Sequence, residues 1–425
     1  MKLLAAILAI AILPLTAAAQ DDTTIIHAGW LLAVPGDAPA ENQSIVIVGE
    51  RVDRVEDGFI ELDGAEIIDL SDHYVLPGLI DSHVHLQGEL NPNRRLQSVT
   101  YSAADWAIAG VRNARTTLMA GFTTVQDVGG NLEAIVALRD GQRRGDIIGP
   151  RMRVAGSSVT PTGGHGDING FNNDLMHLFA SPSACNGPDD CRRAVRELIR
   201  ARVDLIKITA TGGVLSQTAA GTEQQFFDDE LASIVESARM MGRYVTAHAH
   251  GVTGVNAALE AGVHSIEHGT YLDDQSIRLF RDNGAYLVPT ILAGVTVAEI
   301  AENSEWMTPE VRQKSMEVGP AMLAMARRAH EGGVQIAFGT DSGVSRHGDN
   351  AREFSLLVQA GMTPMEAITS ATVIASEHLM MADDIGTIES GKYADIIAVS
   401  ANPLDDVSVL ETVDFVMQGG EVFSN

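Results

Sequence analysis

The stretch VLPGLIDSHVHL, residues 75–86, decides how the chain folds. Apart from Asp81, Ser82 and two histidines it is apolar, as expected of a strand that is buried on both faces. Side chains along a strand alternate between two faces, so His83 and His85 share one face and Val84 takes the other. Taken alone, the two histidines are either polar residues held in a strand or the first two ligands of a metal site.

Seven further apolar runs follow this first one along the chain. They lie at 123–129, 151–159, 204–213, 244–251, 264–270, 285–291 and 334–343. Helical stretches such as 190–202, 228–241, 254–261 and 318–331 separate them. Eight β/α units predict an α/β fold, a (β/α)8 TIM barrel that we assign to residues 78–384. In such barrels the active site lies at the carboxyl ends of the strands.

Both ends of the chain contain short alternating segments without a helical period. Residues 23–77 and the segment GTIESGKYADIIAV, 386–399, have this character and contain turn residues. Two β pieces at opposite ends of a chain commonly pair. We therefore predict a small β-sandwich subdomain formed by residues 20–77 and 385–425.

The first residues have the pattern of an export signal. Lys2 precedes an apolar run, and three alanines end at Ala19, which predicts a signal peptide over residues 1–19 with cleavage near Ala19. The mature protein is then periplasmic or secreted. No later stretch is apolar and long enough to act as a membrane anchor. In an oxidising compartment, Cys185 and Cys191 favour a disulfide over two free thiols.

Composition narrows the class of protein. Apolar residues make up 45% and charged residues 20% of the 425 residues, which is ordinary for a globular enzyme. The formal net charge of −27 argues against nucleic acid as a partner, because the phosphate backbone would be repelled. The charge says little about the substrate; a small-molecule or dipeptide substrate is expected from the family resemblance given below.

Unusual polar residues collect near the predicted carboxyl ends of the strands. They are His83, His85, Lys207, His248, His250, His268 and Asp341. Neutral imidazoles and carboxylates suit zinc and related divalent ions. A lone His-x-His is a weak signal, but this combination on separate strands is a strong one. His264 lies deeper in its strand and is predicted to be a hydrogen-bonded structural residue.

Lys207 should point into the barrel, because its neighbours Ile206 and Ile208 would face the helices. A bare ammonium group buried there is costly. Two solutions remain open from the residues alone. The lysine forms an ion pair with Asp127 or Asp341, or it reacts with CO₂ to give a carbamate that bridges two metals. The histidines on neighbouring strands favour the carbamate.

The remaining histidines have no such context. His27 and His73 belong to the predicted β subdomain and are expected at the surface or in packing contacts. His177, His330 and His378 lie in loop or helical segments, where we expect ordinary solvation.

The motifs LPGLIDSHVHL, LIKITATGG, VTAHAHG, SIEHGT and FGTDSG resemble the amidohydrolase superfamily, over essentially all of the mature chain. GFTTVQDVGG, TPTGGHG and HGDNAREF are most similar to its secreted Xaa-Pro dipeptidase and ochratoxinase-like amidases. Gln126 departs from this pattern, because many relatives carry arginine there. The resemblance implies a binuclear metal-dependent hydrolase, and by analogy a homo-oligomer.

The resemblance also implies a role for each residue. His83, His85 and Asp341 would hold one metal, and His248 and His268 the second. Lys207, carbamylated to N6-carboxylysine, and a hydroxide would bridge the two ions, most simply Zn²⁺. His250 would then stand nearer the rim, where it can meet substrate.

The hydrolysis that follows from this arrangement is an attack of the hydroxide on an amide or peptide carbonyl. Asp341 would move the proton to the leaving amine, and His250 or His165 would stabilise the carbonyl oxygen. Substrate contacts are predicted from strand–helix loops, with the loop 160–190 as a lid. The candidates are His165, His250, Tyr271, Arg346 and His347.

The predicted substrates are Xaa-Pro or other dipeptides, N-acyl amino acids and ochratoxin A. A phosphotriesterase or lactonase with the same metals is the alternative. A mononuclear deaminase or imidazolonepropionase has no use for an inward Lys207. A non-catalytic scaffold would be expected to lose ligands, and here all six positions are filled.

Overall fold

The computed structural model describes residues 23–216 and 221–423. The predicted signal peptide, residues 1–19, lies outside them. Among the helices within these two ranges, none is both long and apolar enough to cross a membrane.

The described strands follow one another along the chain in this order. They are β1 (Thr23–Leu31), β2 (Ala40–Val48), β3 (Arg51–Asp57), β4 (Glu66–Pro77), β5 (Leu79–Val84), β6 (Phe122–Asp127), β7 (Arg151–Val154), β8 (Thr160–Pro161), β9 (Ala184–Cys185), β10 (Ile206–Thr209), β11 (Val245–Ala249), β12 (Ser265–His268), β13 (Tyr286–Val288), β14 (Gln335–Ile336), β15 (Ile396–Val399), β16 (Phe415–Gln418) and β17 (Glu421–Phe423).

The described helices lie mainly between these strands. They are α1 (Arg94–Thr100), α2 (Ala103–Met119), α3 (Leu132–Arg143), α4 (Asn173–Leu178), α5 (Pro188–Arg200), α6 (Asp228–Met240), α7 (Val252–Ala261), α8 (Asp274–Asn283), α9 (Ile291–Asn303), α10 (Pro309–Glu331), α11 (Arg352–Gln359), α12 (Pro364–Ser370) and α13 (Val373–His378), with a 3₁₀ helix at Val407–Glu411.

The two ends of the chain meet in one seven-stranded sheet, in the order β17-β16-β15-β4-β1-β2-β3. The link is β15, which pairs antiparallel with β4 from Ile396 opposite Pro77 to Val399 opposite Tyr74. Apolar side chains from both ends share its core. The predicted pairing of the terminal segments is therefore present. A second, stacked layer that would make it a sandwich stays a prediction.

All eight predicted barrel runs contain a strand, and their pairing is parallel throughout. β5-β6-β7 form one sheet and β10-β11-β12-β13-β14 another, so the mixed α/β content is as predicted. Val159 bridges to Ile208 between the two sheets on one side. On the other side Val84 bridges to Ser342, and the His85 N–H donates to the Ser342 carbonyl at 2.7 Å. Hydrogen bonding thus continues across both seams.

Side chains at the starts of several helices accept hydrogen bonds from backbone N–H groups that the helix itself leaves unpaired. α2 begins with a capping box, in which Ser102 Oγ accepts from the Asp105 N–H and the Asp105 carboxylate accepts from the Ser102 N–H. Asp273 caps α8 by accepting from the Ser276 N–H at 2.9 Å. The same helix ends at Gly284 in the left-handed conformation, with φ of 61°.

Cys185 and Cys191 form a disulfide, as favoured from the sequence. Both residues are fully buried, and Cys191 lies in α5. The bond fastens the end of the predicted lid, 160–190, to this helix.

The prediction of ordinary solvation for His378 is wrong. The residue ends α13 and is fully buried, with Nε2 3.0 Å from Ser265 Oγ. His264 contacts the backbone carbonyl of His378 at 2.9 Å, in keeping with its predicted structural role. Tyr244 and Tyr286 pack against both imidazole rings. The helical context of His378 could not reveal this aromatic cluster, because its partners lie at the starts of three strands: Tyr244 just before β11, His264 just before β12, and Tyr286 in β13.

Buried side chains of the segment HGDNAREF, 347–354, hydrogen-bond to β5 and to the first residues of α9. Asn350 Nδ2 donates to Asp81 Oδ2 in β5 at 2.7 Å. The fully buried carboxylate of Glu353 accepts from the N–H groups of Ile291 (2.9 Å) and Leu292 (2.6 Å), which begin α9. Glu353 therefore satisfies backbone donors that would otherwise be orphaned inside the protein.

We predict that Glu353→Ala lowers the free energy of unfolding by about 2–4 kcal/mol, because each of two buried N–H groups loses its acceptor. Chemical denaturation measures the change. Glu302→Ala, an exposed position on the same helix α9, is the control and should leave stability nearly unchanged. Equal stability of the two variants would contradict this role of Glu353.

Candidate metal centre and substrate cavity

Side chains from the strand ends converge on one cavity of about 190 Å³. It is lined by all six predicted ligands and by two further predicted residues, namely His83, His85, Lys207, His248, His268, Asp341, His165 and His250. Apolar side chains from α9 and α10, including Val297, Val318 and Met322, complete its wall.

Possible metal donors fall into two groups. His83, His85 and Asp341, here called the Asp341 group, each offer one ligand atom within 4.8 Å of the others. His248, His250 and His268, here called the His268 group, likewise each offer one ligand atom within 4.8 Å of the others. Nearly all of these residues are buried, and only His85 is half-buried.

Hydrogen bonds fix the tautomers of the first two histidines. His83 Nδ1–H donates to the Glu267 carboxylate at 2.6 Å, and His85 Nδ1–H donates to the Gly129 carbonyl at 2.7 Å. A carbonyl or an ionised carboxylate only accepts, so the proton must sit on Nδ1 in each ring. In the neutral form of both rings Nε2 therefore carries the lone pair, which is the form that binds a metal.

Hydrogen bonds also indicate the tautomers of His268 and His248 in the second group. The Thr290 hydroxyl donates to the Pro289 carbonyl at 2.8 Å, so its oxygen accepts from His268 Nδ1–H at 2.7 Å. His248 Nε2–H points at the Gly212 carbonyl, 3.3 Å away. His268 therefore presents Nε2 as a lone pair, and His248 presents Nδ1.

The hydrogen bond of His250 does not fix its tautomer, unlike those of the four histidines above. Its Nδ1 lies 2.7 Å from Thr270 Oγ1, and that hydroxyl can either donate or accept. Burial lowers the pKa of His250 to about 3, so the ring is neutral. Its Nε2 is free to carry the proton and to act as a hydrogen-bond donor.

The Asp341 group fits a cation. Asp341 Oδ1 lies 3.4 Å from His83 Nε2 and 3.2 Å from His85 Nε2, and this buried oxygen has no hydrogen-bond partner. When both rings are neutral, three lone-pair donors face one another with no proton between them. Without a cation, ring protons take its place: burial alone would raise the pKa of Asp341, but protonated His83 and His85 lower it well below its usual value. Burial and Lys207 would lower the pKa of His83, but Asp341 and Glu267 raise it. A divalent cation satisfies this arrangement.

The chain was compared with models of known protein families. The model described as "Amidohydrolase family" matches residues 74–423, a range that includes all six candidate metal ligands. The chain belongs to the amidohydrolase family. This confirms the resemblance inferred from the motifs, and with it the class of a hydrolase that acts on amide bonds.

Relatives of this amidohydrolase cover nearly the whole chain. An ochratoxinase from Aspergillus niger is 33% identical, over 96% of this chain and 89% of its own. A solved Xaa-Pro dipeptidase with methionine bound in its active site is 41% identical with a TM-score of 0.91, covering 95% of this chain and 100% of that one. A solved prolidase in complex with N-methylphosphonate-L-proline is 30% identical with a TM-score of 0.85, over 95% and 100%.

Lys207 of the amidohydrolase lines the cavity and is almost fully buried. Among the described residues, its ammonium group has neither a hydrogen bond nor a carboxylate within ion-pair distance. Asp127 instead accepts from two backbone N–H groups at 2.8 and 3.2 Å. Burial lowers the pKa of Lys207, against the opposing effect of Glu267, Asp341 and Asp127. The direct ion pair considered from the sequence is thus not formed.

Glu267 is the functional residue that sequence reasoning missed. It is fully buried and bonds His83 across the interior, as well as Thr246 and Ser265. Burial alone would raise its pKa, but Lys207 and His83 outweigh this and bring the pKa to about 2. The motif SIEHGT contained the signal, since a glutamate within a buried strand needs a partner.

Strict alternation would place Glu267 and His268 on opposite faces of β12. The structure brings both inward because His268 has a left-handed backbone, with φ of 74°. Thr290 (φ 49°) and Asp341 (φ 58°) are in the same region. Such conformations cost roughly 1–3 kcal/mol each and concentrate at functional sites.

The predicted lid delivers His165 to the cavity. Its ring centre lies 4.3 Å from that of His248, and its buried Nδ1 has no hydrogen-bond partner. Burial lowers the pKa of His165 to about 4. A Cβ atom at Gly213 would lie 2.2 Å from His165 Cε1, so only glycine there admits the ring.

Three predicted substrate residues do not line this cavity. Tyr271 is 40% exposed and Arg346 is exposed at the surface. His347 is buried, but it faces the Gly88 carbonyl at 3.3 Å, and its N–H donates to Glu89 Oε1 at 3.0 Å. It therefore ties together the loops after β5 and β14.

We predict that Glu267→Ala weakens metal binding about 10- to 100-fold, because His83 loses the acceptor that fixes its tautomer. Metal content after dialysis against graded zinc buffers measures this. Glu267→Gln is the control, since its amide oxygen can still accept from His83 Nδ1–H. A folded alanine variant with the metal affinity of the unmodified protein would contradict the assignment.

Proposed function

We propose that the chain is a secreted or periplasmic binuclear metal-dependent amidohydrolase that cleaves the bond between an acyl group and an amino acid. The substrates proposed are Xaa-Pro and other dipeptides, N-acyl amino acids and ochratoxin A, which share this bond. The convergence of imidazole nitrogens and the Asp341 carboxylate on one cavity carries the proposal. Similarity to a Xaa-Pro dipeptidase, a prolidase and an ochratoxinase supports the substrate class.

The proposal includes the architecture around the site. Residues 78–384 would form a TIM barrel closed through both hydrogen-bonded seams, and residues 20–77 with 385–425 the β-sandwich subdomain. Residues 1–19 would direct export, and the mature chain would assemble as a homo-oligomer.

Two divalent ions, most simply Zn²⁺, would occupy the site. The Asp341 group would hold one, and His248 with His268 the other, because these histidines have a lone pair fixed by their hydrogen bonds. Carbamylated Lys207 would lie between them, which suits a buried amine without a carboxylate partner. When bound, the ions supply a water of lowered pKa and polarise the carbonyl.

Asp341 would move the proton. The water that attacks the carbonyl carbon gives up a proton, and the leaving amine must gain one. Asp341 lines the cavity, and its buried Oδ1 has no hydrogen-bond partner in the protein, so this oxygen would be available to accept the proton. It would then deliver that proton to the amine nitrogen as the C–N bond breaks.

His250 and His165 would stabilise the carbonyl oxygen as it gains negative charge. If the Thr270 hydroxyl donates to His250 Nδ1, Nε2–H of this ring points into the cavity as a donor. His165 adds a second neutral ring whose buried Nδ1 lacks a protein partner. Both rings would serve as hydrogen-bond donors without adding charge.

We predict that the purified protein hydrolyses acyl–amino acid amides and loses this activity after dialysis against a chelator, because the ions supply the activated water. Chromatography of released amino acids, with metal analysis of the same samples, measures both. Added Zn²⁺ should restore the rate. Full activity in metal-free protein, or hydrolysis of organophosphates or lactones with no amide cleavage, would overturn the proposal.

We predict that Lys207→Ala loses most activity, by about 10²-fold or more, together with much of its metal, since the bridging carbamate is removed. A short carboxylic acid such as propionate should partly restore both. The unmodified protein in the same propionate is the control and should not be accelerated. A variant that retains its metal and rate would show that Lys207 has no bridging role.

A further inference from the structure

A second cavity, of about 630 Å³, adjoins the first. The two share lining residues, namely His85, His165, Leu215, Val344 and Gly166. A substrate held at the metal centre can therefore extend directly into this second space. Trp106 and Trp306 contribute to its walls.

Arg94 lines this second cavity, and part of its guanidinium group lacks a hydrogen-bond partner. Its Nη1 is buried and has no hydrogen-bond partner among the described residues. The guanidinium carbon lies 4.7 Å from the centre of the Trp106 ring, so the charge rests on an aromatic face. A Cβ atom at Gly88 would lie 2.6 Å from Nη1, so the glycine leaves room for the guanidinium.

The neighbouring arginine has its partners within the protein. Arg95 Nη2 donates to the carbonyl of Gly170 at 2.9 Å, and its guanidinium stacks over Phe171 at 4.5 Å. Arg95 therefore fastens a loop, whereas Arg94 has donors to spare.

The cavity offers Arg94 no counter-charge. Asp167 is the only acidic residue that lines it within the described parts of the chain. The two Asp167 oxygens already accept from the N–H groups of Gly163 (2.9 Å) and Ser181 (3.0 Å). Arg94 therefore has no free carboxylate partner among the described residues that line this cavity. An anion that enters from outside would satisfy it.

We propose that Arg94 binds the free carboxylate of the amino-acid half of the substrate. This inference rests on the proposed function, because it takes an acyl–amino acid as the ligand. The planar fork of arginine matches a carboxylate with two parallel hydrogen bonds. The Trp106 ring holds that plane in place, so the second cavity selects substrates that carry a carboxylate beside the scissile amide.

The test compares an acyl–amino acid that the unmodified protein hydrolyses with the same compound converted to its terminal carboxamide. Hydrolysis of the shared acyl–nitrogen bond is followed by chromatography. The unmodified protein should prefer the free acid. Arg94→Gln should lose about 10- to 100-fold in kcat/KM on the free acid, the usual effect of a charged hydrogen bond, and less than threefold on the carboxamide.

Further variants and a binding readout keep the test independent of folding. Arg94→Lys retains the charge without the fork and should fall between the two. Arg115→Gln, an exposed position on α2 that lines neither cavity, should behave as the unmodified protein. Inhibition by the free amino-acid product should weaken in Arg94→Gln in parallel with kcat/KM, while metal content and the melting temperature stay unchanged.

Failure of this inference differs from failure of the proposed function. Equal loss of rate on the acid and the carboxamide, or no preference between them in the unmodified protein, would overturn the role of Arg94. A selective loss in Arg346→Gln instead would assign the carboxylate to the loop after β14. Absence of any acyl–amino acid hydrolysis by the unmodified protein would remove the proposed function itself.

Discussion

The convergence of imidazole nitrogens and a carboxylate oxygen on one small cavity is the constraint on which the rest of this structure depends. Asp341 Oδ1 lies 3.4 Å from His83 Nε2 and 3.2 Å from His85 Nε2. Each ring is held in place from behind, by Glu267, Gly129 or Thr290. The strands, their left-handed ends and the buried acceptors therefore act together to hold the donor atoms in the positions that a cation requires.

The acceptors behind the ligands explain why the interior contains so many polar groups. Glu267 links β12 to β5, and through Ser265 it reaches the buried His378 at the end of α13. Asp81 links β5 to the segment after β14 through Asn350. Each of these groups is satisfied by another strand or loop, so the polar interior also joins the strands in their observed order.

Periodicity predicted those parts of the site that obey strand alternation. His83, His85 and Lys207 follow it, and the structure places all three in the cavity. Glu267 could not be recognised in this way, because the left-handed backbone of His268 brings two consecutive residues of β12 to the same side. The sequence pattern also gave the eight strands and the pairing of the two termini, since both depend on apolar runs rather than on individual contacts.

Loop residues obey no such period, and there the predictions diverged from the structure. Arg346 follows Asp341 closely in sequence, yet its side chain is exposed and lines neither cavity. Arg94 belongs to no motif singled out from the sequence, but as the first residue of α1, after the loop that follows β5, it lines the cavity beside the candidate metal centre. Glu267 thus lies behind the candidate ligands, and Arg94 lines the cavity in front of them. In the proposed binding mode this arrangement would orient an anionic substrate, because its carboxylate would pair with Arg94 while its amide faces the candidate ligands.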